Sequence, residues 1–555
     1  MANNAGRLLF GIETEFGFSA WDPGGKKYDP QPALEAFLQV CASKLVHLRG
    51  SDSPVRMYLA NGSLLYPDVG HPEYATAECR SPTSLLLSLR AGEKILAEAA
   101  QRLQRRAGFG TVNLYRTNVD YSAIGTTWGC HESYLSTRSP VEFAERALPH
   151  LFSRIIYTGA GGFDNRKRGA EFALSPRAFH LNRAVDYDGS GNRAIFSLRD
   201  EPHSGADYHR VHLICGESNY SDLSNYLKVG TTALVLAMAE AGVDFGLSER
   251  WSAVSTDTMR QFSRDSGCQK KATCDGVPAQ SAIEIQYRYL VAAENHVHAP
   301  YMPAWAEEVC TKWRATLADL EASPELLVGK LDWPTKLAVF REYVRTRSDL
   351  SWSSLTVWTN VASRLSRALT NFEDPWPRVS CQQVDILRES KGQSARLVKT
   401  LSQALKKHDL DWSQLDAFQN LRDELCHLDI RFGQLHPRGV FQNLQDAGEI
   451  RGRILNSGQA DEALDRAPDL GRARVRGDWI RHLASQHESY SCQWTGIRSE
   501  SKYLNLQDPF VTRAAWEQRV ERRAGVTLTD ESRNRAFAFI DRLSDGGESG
   551  DESAR

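Results

Sequence analysis

No run of eighteen apolar residues occurs in the 555-residue chain, so no stretch of it spans a bilayer as a helix. Excess charge of one sign is also missing. Lys and Arg number 67 against 69 Asp and Glu, a net charge of −2, which selects neither nucleic acid nor an anionic membrane as partner. Ten cysteines are scattered from Cys41 to Cys492 without one CxxC pair, which argues against a zinc or dithiol site and fits a reducing compartment. The one HxH, His296 and His298 in "ENHVHAP", is more often structural than ligating. The opening "MANNAGRLLFGIETEFGF" lacks the apolar core of a signal peptide, so a cytoplasmic location is expected. Neither GxxxxGK[ST] nor GxGxxG is present, so nucleotide would have to be held by something other than a phosphate loop.

What is present is enough chain for two or three units. "RLLFGIETEFGF" alternates as a strand does. "SPVRMYLANGSLLYPD" reads as a hairpin turning at Asn61-Gly62, and "SPTSLLLSLRAGEKILAEAAQRLQRR" as a capped amphipathic helix. "YHRVHLICGESN" is a further strand, followed by an apolar helix. Strands polar on one face with helices behind the other predict an α+β fold whose open sheet face carries a site. A helical insertion is expected over about 365–425, a small C-terminal unit over 456–535, and a disordered acidic tail over 544–555.

Acids concentrate in few places. In "GIETEFG" the two-residue period of a strand points Glu13 and Glu15 to one side. Like charges side by side repel, so water or a cation must compensate. "YPDVGHPEYATAEC" supplies Tyr66 and Asp68 on one face, with Glu73 and Glu78 following. Carboxylate oxygens suit Mg²⁺, which takes its remaining ligands from phosphate and water, so an acidic sheet is a platform for ATP phosphates. A third polar group holds Asn118, Asp120, His131 and Glu132. A fourth brings Arg199, His203, Arg210 and His212, with arginine suited to clamp phosphoryl oxygens.

These segments carry a resemblance. "GIETEFG", "NGSLLYPDVGHPEYATAEC", "WGCHESYL", "RDEPHSGADYHRVHLICGESN" and "YLKVGTTALVL" resemble the Pup ligase and Pup deamidase family, a branch of the glutamine synthetase and carboxylate-amine ligase superfamily. The likeness resumes in "LDIRFGQLHPRGVFQNL", "RARVRGDWI" and "NLQDPF". It implies a curved antiparallel sheet, flanked by helices, that cradles ATP and Mg²⁺, with a glutamine-synthetase-like domain over 1–455. It implies metal contacts at Glu13, Tyr66 and Glu73, ATP contacts at Thr76 and Trp494, and Asp68 as catalytic base. The partners implied are Pup, a small disordered tag, or a Pup-like modifier, and lysine-bearing target proteins. The leading expectation is a ligase that activates the tag's C-terminal glutamate as an acyl phosphate. Two alternatives stay open: a deamidase or depupylase using the same Asp68, and a non-catalytic relative that binds a tag. The sequence departs from the ligase pattern at Leu64, where arginine is usual, and lacks the serine of "DVGSHPEY". Glu73 and Thr76 fall on opposite faces of a regular strand, so a bulge is needed if both are to reach one site.

Overall fold

The structure, a computed structural model, describes residues 8–516 apart from 122–125, 168, 187–192, 200, 202, 369–377, 457, 487–488, 501–502 and 513–514. The expected tail over 544–555, and the C-terminal unit beyond 516, lie outside the described residues. Twelve strands form the main sheet: β1 (Phe10–Glu15), β2 (His47–Gly50), β3 (Met57–Leu59), β4 (Leu64–Asp68), β5 (His71–Ala75), β6 (Cys130–Ser136), β7 (Arg183–Asp186), β8 (Ala194–Ser197), β9 (His209–Leu213), β10 (Ser491–Gln493), β11 (Gly496–Arg498) and β12 (Tyr503–Asn505). Their spatial order is β7-β8-β9-β6-β1-β5-β4-β3-β2-β10-β11-β12. The fold is α+β as the sequence predicts. The sheet is antiparallel except at two pairs, β7 with β8 and β2 with β10. Through the second parallel pair, β10, β11 and β12 extend the main sheet from the β2 edge instead of forming a sheet of their own.

Alternation decides which side is packed. Along β1, Phe10, Ile12 and Thr14 are buried beneath the sheet while Gly11, Glu13 and Glu15 are only partly covered. The back packs on α1 (Pro82–Gln104), which starts in a capping box between Ser81 and Ser84, and on the almost wholly buried α2 (Asp222–Glu240). The same alternation separates His131 from Glu132. Glu132 turns into the back layer, where Arg154 Nη2 donates to its carboxylate at 2.5 Å.

The stretch around 365–425 is helical, within a run of α3 (Trp352–Ala368), α4 (Cys381–Glu389), α5 (Gln393–Lys406) and α6 (Leu415–Phe432). These helices enclose their own apolar core around Trp358, Leu401 and Phe418. A buried Lys336–Asp429 pair at 2.6 Å, with the Tyr121 hydroxyl donating to the same carboxylate, fastens α6 to the main body. No described helix is long and apolar enough to cross a membrane, and every described cysteine is a free thiol.

Candidate active site

The stretch "YPDVGHPEYATAEC" is two strands, not one. Val69 and Gly70, both at positive φ (38° and 87°), form a two-residue turn between β4 and β5. Glycine enters that region freely, whereas a β-branched valine does so rarely. The turn fixes the register: Asp68 lies opposite His71 and Tyr66 opposite Glu73. β5 in turn pairs with β1, with Glu73 opposite Glu15 and Ala75 opposite Glu13. On the other side of β1, Glu13 faces His131. β9 extends the row, with His212 opposite Ser133. Five adjacent strands thus present their ionisable side chains on one sheet face.

Two clusters result. Glu15, Asp68, His71 and Glu73 bring one ligand atom each within 4.8 Å of one another, and so do Glu13, His131 and His212. The clusters are joined by His131, whose Nδ1 lies 3.6 Å from Glu13 and whose Nε2 lies 3.6 Å from Glu15. Glu15 also accepts the backbone N–H of Gly129 at 2.6 Å. Arg210 donates to Glu13 at 3.1 Å and to the Ser133 hydroxyl at 3.0 Å.

The electrostatics are uneven. Burial, and after it the charge of Glu13, pushes the Glu73 carboxyl well above the usual carboxylate range. Burial opposes ionisation of Glu13 too, but Arg210, His131 and His212 together overcome it and hold that carboxyl low. Burial and then Arg210 lower His212 to about 3, so its imidazole is neutral near pH 7. Both His212 ring nitrogens are buried without a hydrogen-bond partner among the described residues. Burial, followed by Glu13 and Glu73, keeps the Tyr66 phenol protonated far beyond its ordinary range.

A cleft opens beside these clusters, lined by Leu9, by β1 from Phe10 to Glu13, by Thr76 and Glu78, and by Arg210. Its far wall comes from the C-terminal unit: Arg472, Trp494 and Pro509. Thr76 reaches the cleft through an irregularity in the pairing. Regular pairing beyond Glu13–Ala75 would match Phe10 with Glu78, yet Phe10 bridges Cys79, one residue further on. The bulge lets the Thr76 hydroxyl accept the Ile12 amide at 3.1 Å. Trp494 begins the β10–β11 turn, and Arg476 Cζ stands 4.7 Å from its ring centroid.

Of the residues expected as base, metal ligand or nucleotide contact, Glu13, Glu15, Tyr66, Asp68, Glu73, Thr76, Arg210 and Trp494 gather on this face or in this cleft. Arg199 does not. It follows β8 as an exposed side chain whose guanidinium pairs with Glu201 at 2.7 Å. Sequence reasoning missed the His71–His131–His212 contribution as potential ligands. It also missed Arg472 and Arg476 on α7 (Arg472–Leu483), which both hold Glu78. A signal existed for His212, which shares with Arg210 the outward face of a strand already read as such. None existed for the arginines, which are about 400 residues away from Glu78 along the chain.

The family model described as Pup-ligase protein matches residues 8–362 and 379–498. The chain is 31% identical to the Pup–protein ligase of Actinosynnema mirum, over 93% of this chain and 98% of that one. It is 30% identical to the Pup–protein ligase of Micrococcus luteus, over 92% and 96%. Among solved structures, the complex between Pup and its ligase PafA superposes with a TM-score of 0.68 over 99% of both chains at 23% identity. The Pup ligase PafA in complex with ADP superposes with a TM-score of 0.62 over 85% of this chain and 90% of that one, at 25% identity. With a matching family model over most of its length and full-length relatives at this identity, the chain belongs to the Pup ligase family.

Proposed function

We propose that the chain is an ATP-dependent ligase that joins the C-terminal glutamate of Pup, or of a Pup-like modifier, to lysines of target proteins. The observation that carries this reading is the placement of Asp68 inside a carboxylate cluster that borders a cleft ending at Trp494. The family relatives named above are ligases, and one of the related structures holds ADP. A cytoplasmic setting fits the ten free thiols. Residues 456–516 act as a cap over the nucleotide end, and the helical insertion lies apart from the chemistry.

The site residues fit a divalent cation. Glu73 opposes Glu15 in an environment that resists two negative charges, and His212 presents two buried nitrogens with no hydrogen-bond partner among the described residues. The carboxylates of Glu13, Glu15 and Glu73 suit Mg²⁺, and Asp68 beside them is kept for the proton. Bound there, the ion supplies charge neutralisation for phosphate oxygens. Tyr66, held protonated against Glu73, orients that carboxylate. Arg210 presents its guanidinium between Glu13 and Ser133 on the path of the phosphates. Trp494 offers its indole to the base, and Thr76 sets the wall of the cleft. Asp68 takes the proton of the incoming lysine.

Two measurements test the parts. In metal-free protein, the raised Glu73 pKa means the folded state keeps a proton that the unfolded state has released, so stability falls as pH rises from about 4.5 to about 8. Glu73→Gln should therefore raise the melting temperature of metal-free protein at pH 8 while weakening Mg²⁺ binding in calorimetry by at least about tenfold. Unchanged metal affinity in a folded variant removes Glu73 from the metal site. Trp494→Ala should raise the dissociation constant for ATP by roughly 10–100-fold, the equivalent of about 1–3 kcal/mol for stacking one base. Equal affinity in variant and wild type assigns Trp494 to packing alone.

The whole reading is tested by incubating purified protein with ATP, Mg²⁺ and a tag ending in glutamate, with products read by mass spectrometry. One ADP should appear for each isopeptide bond. Ammonia from a glutamine-ended tag without matching ATP consumption would turn the assignment to a hydrolase.

A further inference from the structure

The β4–β5 hairpin has two unlike ends. Thr76 follows β5 into the cleft that Arg472, Trp494 and Pro509 wall off. Asp68 and His71 stand at the other end, on either side of the turn. That end is bare. Val69 is 92% exposed, and a Cβ added at Gly70 would meet nothing within 4 Å among the described residues. The turn is nonetheless stiff, because Pro67 faces Pro72 one pair back and each proline fixes its own φ. Positive φ at both central residues is the pattern of a type I′ turn, which Asn-Gly satisfies at least cost. Here the first position is Val69, at φ 38°. A β-branched residue is strained in that region, since its Cβ crowds the backbone. An almost fully exposed side chain has no packing to offset the strain. A lone exposed valine needs no explanation, and a strained residue clamped by its surroundings has one. Val69 is strained and exposed together, and it follows directly on the residue that takes the proton.

Resting on the ligase reading and on Asp68 as its base, we infer that Val69 is a substrate-contact residue, whose branched side chain lies against the four-carbon stem of the incoming lysine. The Cα atoms of Asp68 and Val69 are about 3.8 Å apart across one peptide. A lysine on a folded target cannot arrive through the nucleotide end, which the C-terminal wall closes, nor through the helices packed behind the sheet. It comes over the open turn. With its amine at Asp68, its stem must run past the turn tip to reach the target's surface. Lysine lays its methylenes along apolar surface and sends its charged head into polar surroundings. Valine supplies such a surface in a fixed orientation, because its β-branch leaves χ1 little freedom. Asparagine would suit the backbone better, but its amide offers the stem nothing. The strain carried by the free protein is thus matched by a contact made only when lysine is seated.

The test compares wild type with Val69→Asn and Val69→Ile in conjugation of a glutamate-ended tag to a target protein, with ATP and Mg²⁺. Val69→Asn relieves the turn and removes the apolar surface. It should melt about 1–3 °C higher than wild type, yet lose about 5–20-fold in kcat/KM for the target, the worth of burying one or two methylene groups. The KM for ATP, and ADP release with tag but no target, should not change. Val69→Ile keeps the branched surface and should retain at least half the wild-type rate. The Val69→Asn loss should be the same at pH 7 and pH 9. If Val69 served only to hold Asp68, the loss would shrink at pH 9, where more of the lysine is deprotonated without a base, and the contact would be overturned. Transfer by Val69→Asn at the wild-type rate, or a melting temperature that does not rise, would overturn it too. So would an equal loss in Val69→Ile, or a fall in ADP release without target, since both place the effect in the turn or the cation site. A wild type that forms no conjugate and releases no ADP would overturn the ligase reading itself, and the contact with it.

Discussion

Asp68→Asn should bind ATP as the wild type does, yet transfer the tag to lysine about 10²–10⁴-fold more slowly, the usual worth of a general base. A lysine amine has a pKa near 10.4, so presenting it deprotonated at pH 7 costs about 4–5 kcal/mol without help. Asp68 is placed to supply that help. It ends β4 opposite His71, and its carboxylate lies within 4.8 Å of ligand atoms on Glu15, His71 and Glu73. The Val69–Gly70 turn holds it there, with Val69 kept in the left-handed region and its side chain in solvent. Asparagine preserves shape and removes the proton acceptor. ADP release and conjugate formation, followed separately, distinguish the steps. Activation of the tag carboxylate should continue slowly while transfer fails. Transfer at the wild-type rate would show that Asp68 is no base. Loss of ATP binding together with transfer would make it part of the cation site, as its membership of the carboxylate cluster allows.

The sequence reveals the parts of this arrangement that repeat over a few residues. The period of two in "GIETEFG" is enough to predict that Glu13 and Glu15 share a face, because a strand allows nothing else once Ile12 and Phe16 are buried. Asn61-Gly62 marks its turn for the same local reason. Val69-Gly70 is harder to see. Valine at positive φ runs against its own preference, and only pairing on both sides of the turn holds it there, so a local reading passes through the turn as one strand. The Thr76 bulge is legible only as a conflict between two expected contacts on opposite faces. Least legible are long-range matches. The parallel pairing of β10 with β2, which seats Trp494 at the cleft, joins segments more than 400 residues apart and leaves no local trace. Arg199, read as a phosphate clamp, stands at a strand end where its guanidinium pairs with Glu201.

Glu78 is where this long-range matching is concentrated, and Glu78→Ala should loosen the C-terminal unit from the sheet by about 3–5 kcal/mol, the loss seen when one partner of a buried ion pair is removed. Its carboxylate accepts Arg472 Nε at 2.7 Å and Arg476 at 2.6 and 2.9 Å. Arg476 is wholly buried. It donates to the Gly62 carbonyl at 2.8 Å and the Trp494 carbonyl at 3.2 Å, and it stands over the Trp494 ring. Removing the acid leaves two buried guanidiniums short of their counter-charge directly behind the cleft. Burial alone would raise the Glu78 pKa, but Arg476 and Arg472 reverse that and hold it at about 2 against an ordinary 4.5. A depressed carboxyl stabilises the fold above its unfolded pKa, and the contribution fades as pH falls through the folded value. The interval between the two values is worth about 3 kcal/mol, in line with the loss expected from the pair. The stability gap between wild type and Glu78→Ala should therefore stay constant from pH 8 down to about 5 and narrow below 4.5. Native-state hydrogen exchange in α7 and in the β10–β11 hairpin reads it locally, where a global melt would average it away. ATP affinity should fall with the same variant, since Arg476 and Trp494 move together. Exchange rates unchanged in those two elements would mean that Glu78 serves the cleft without holding the cap.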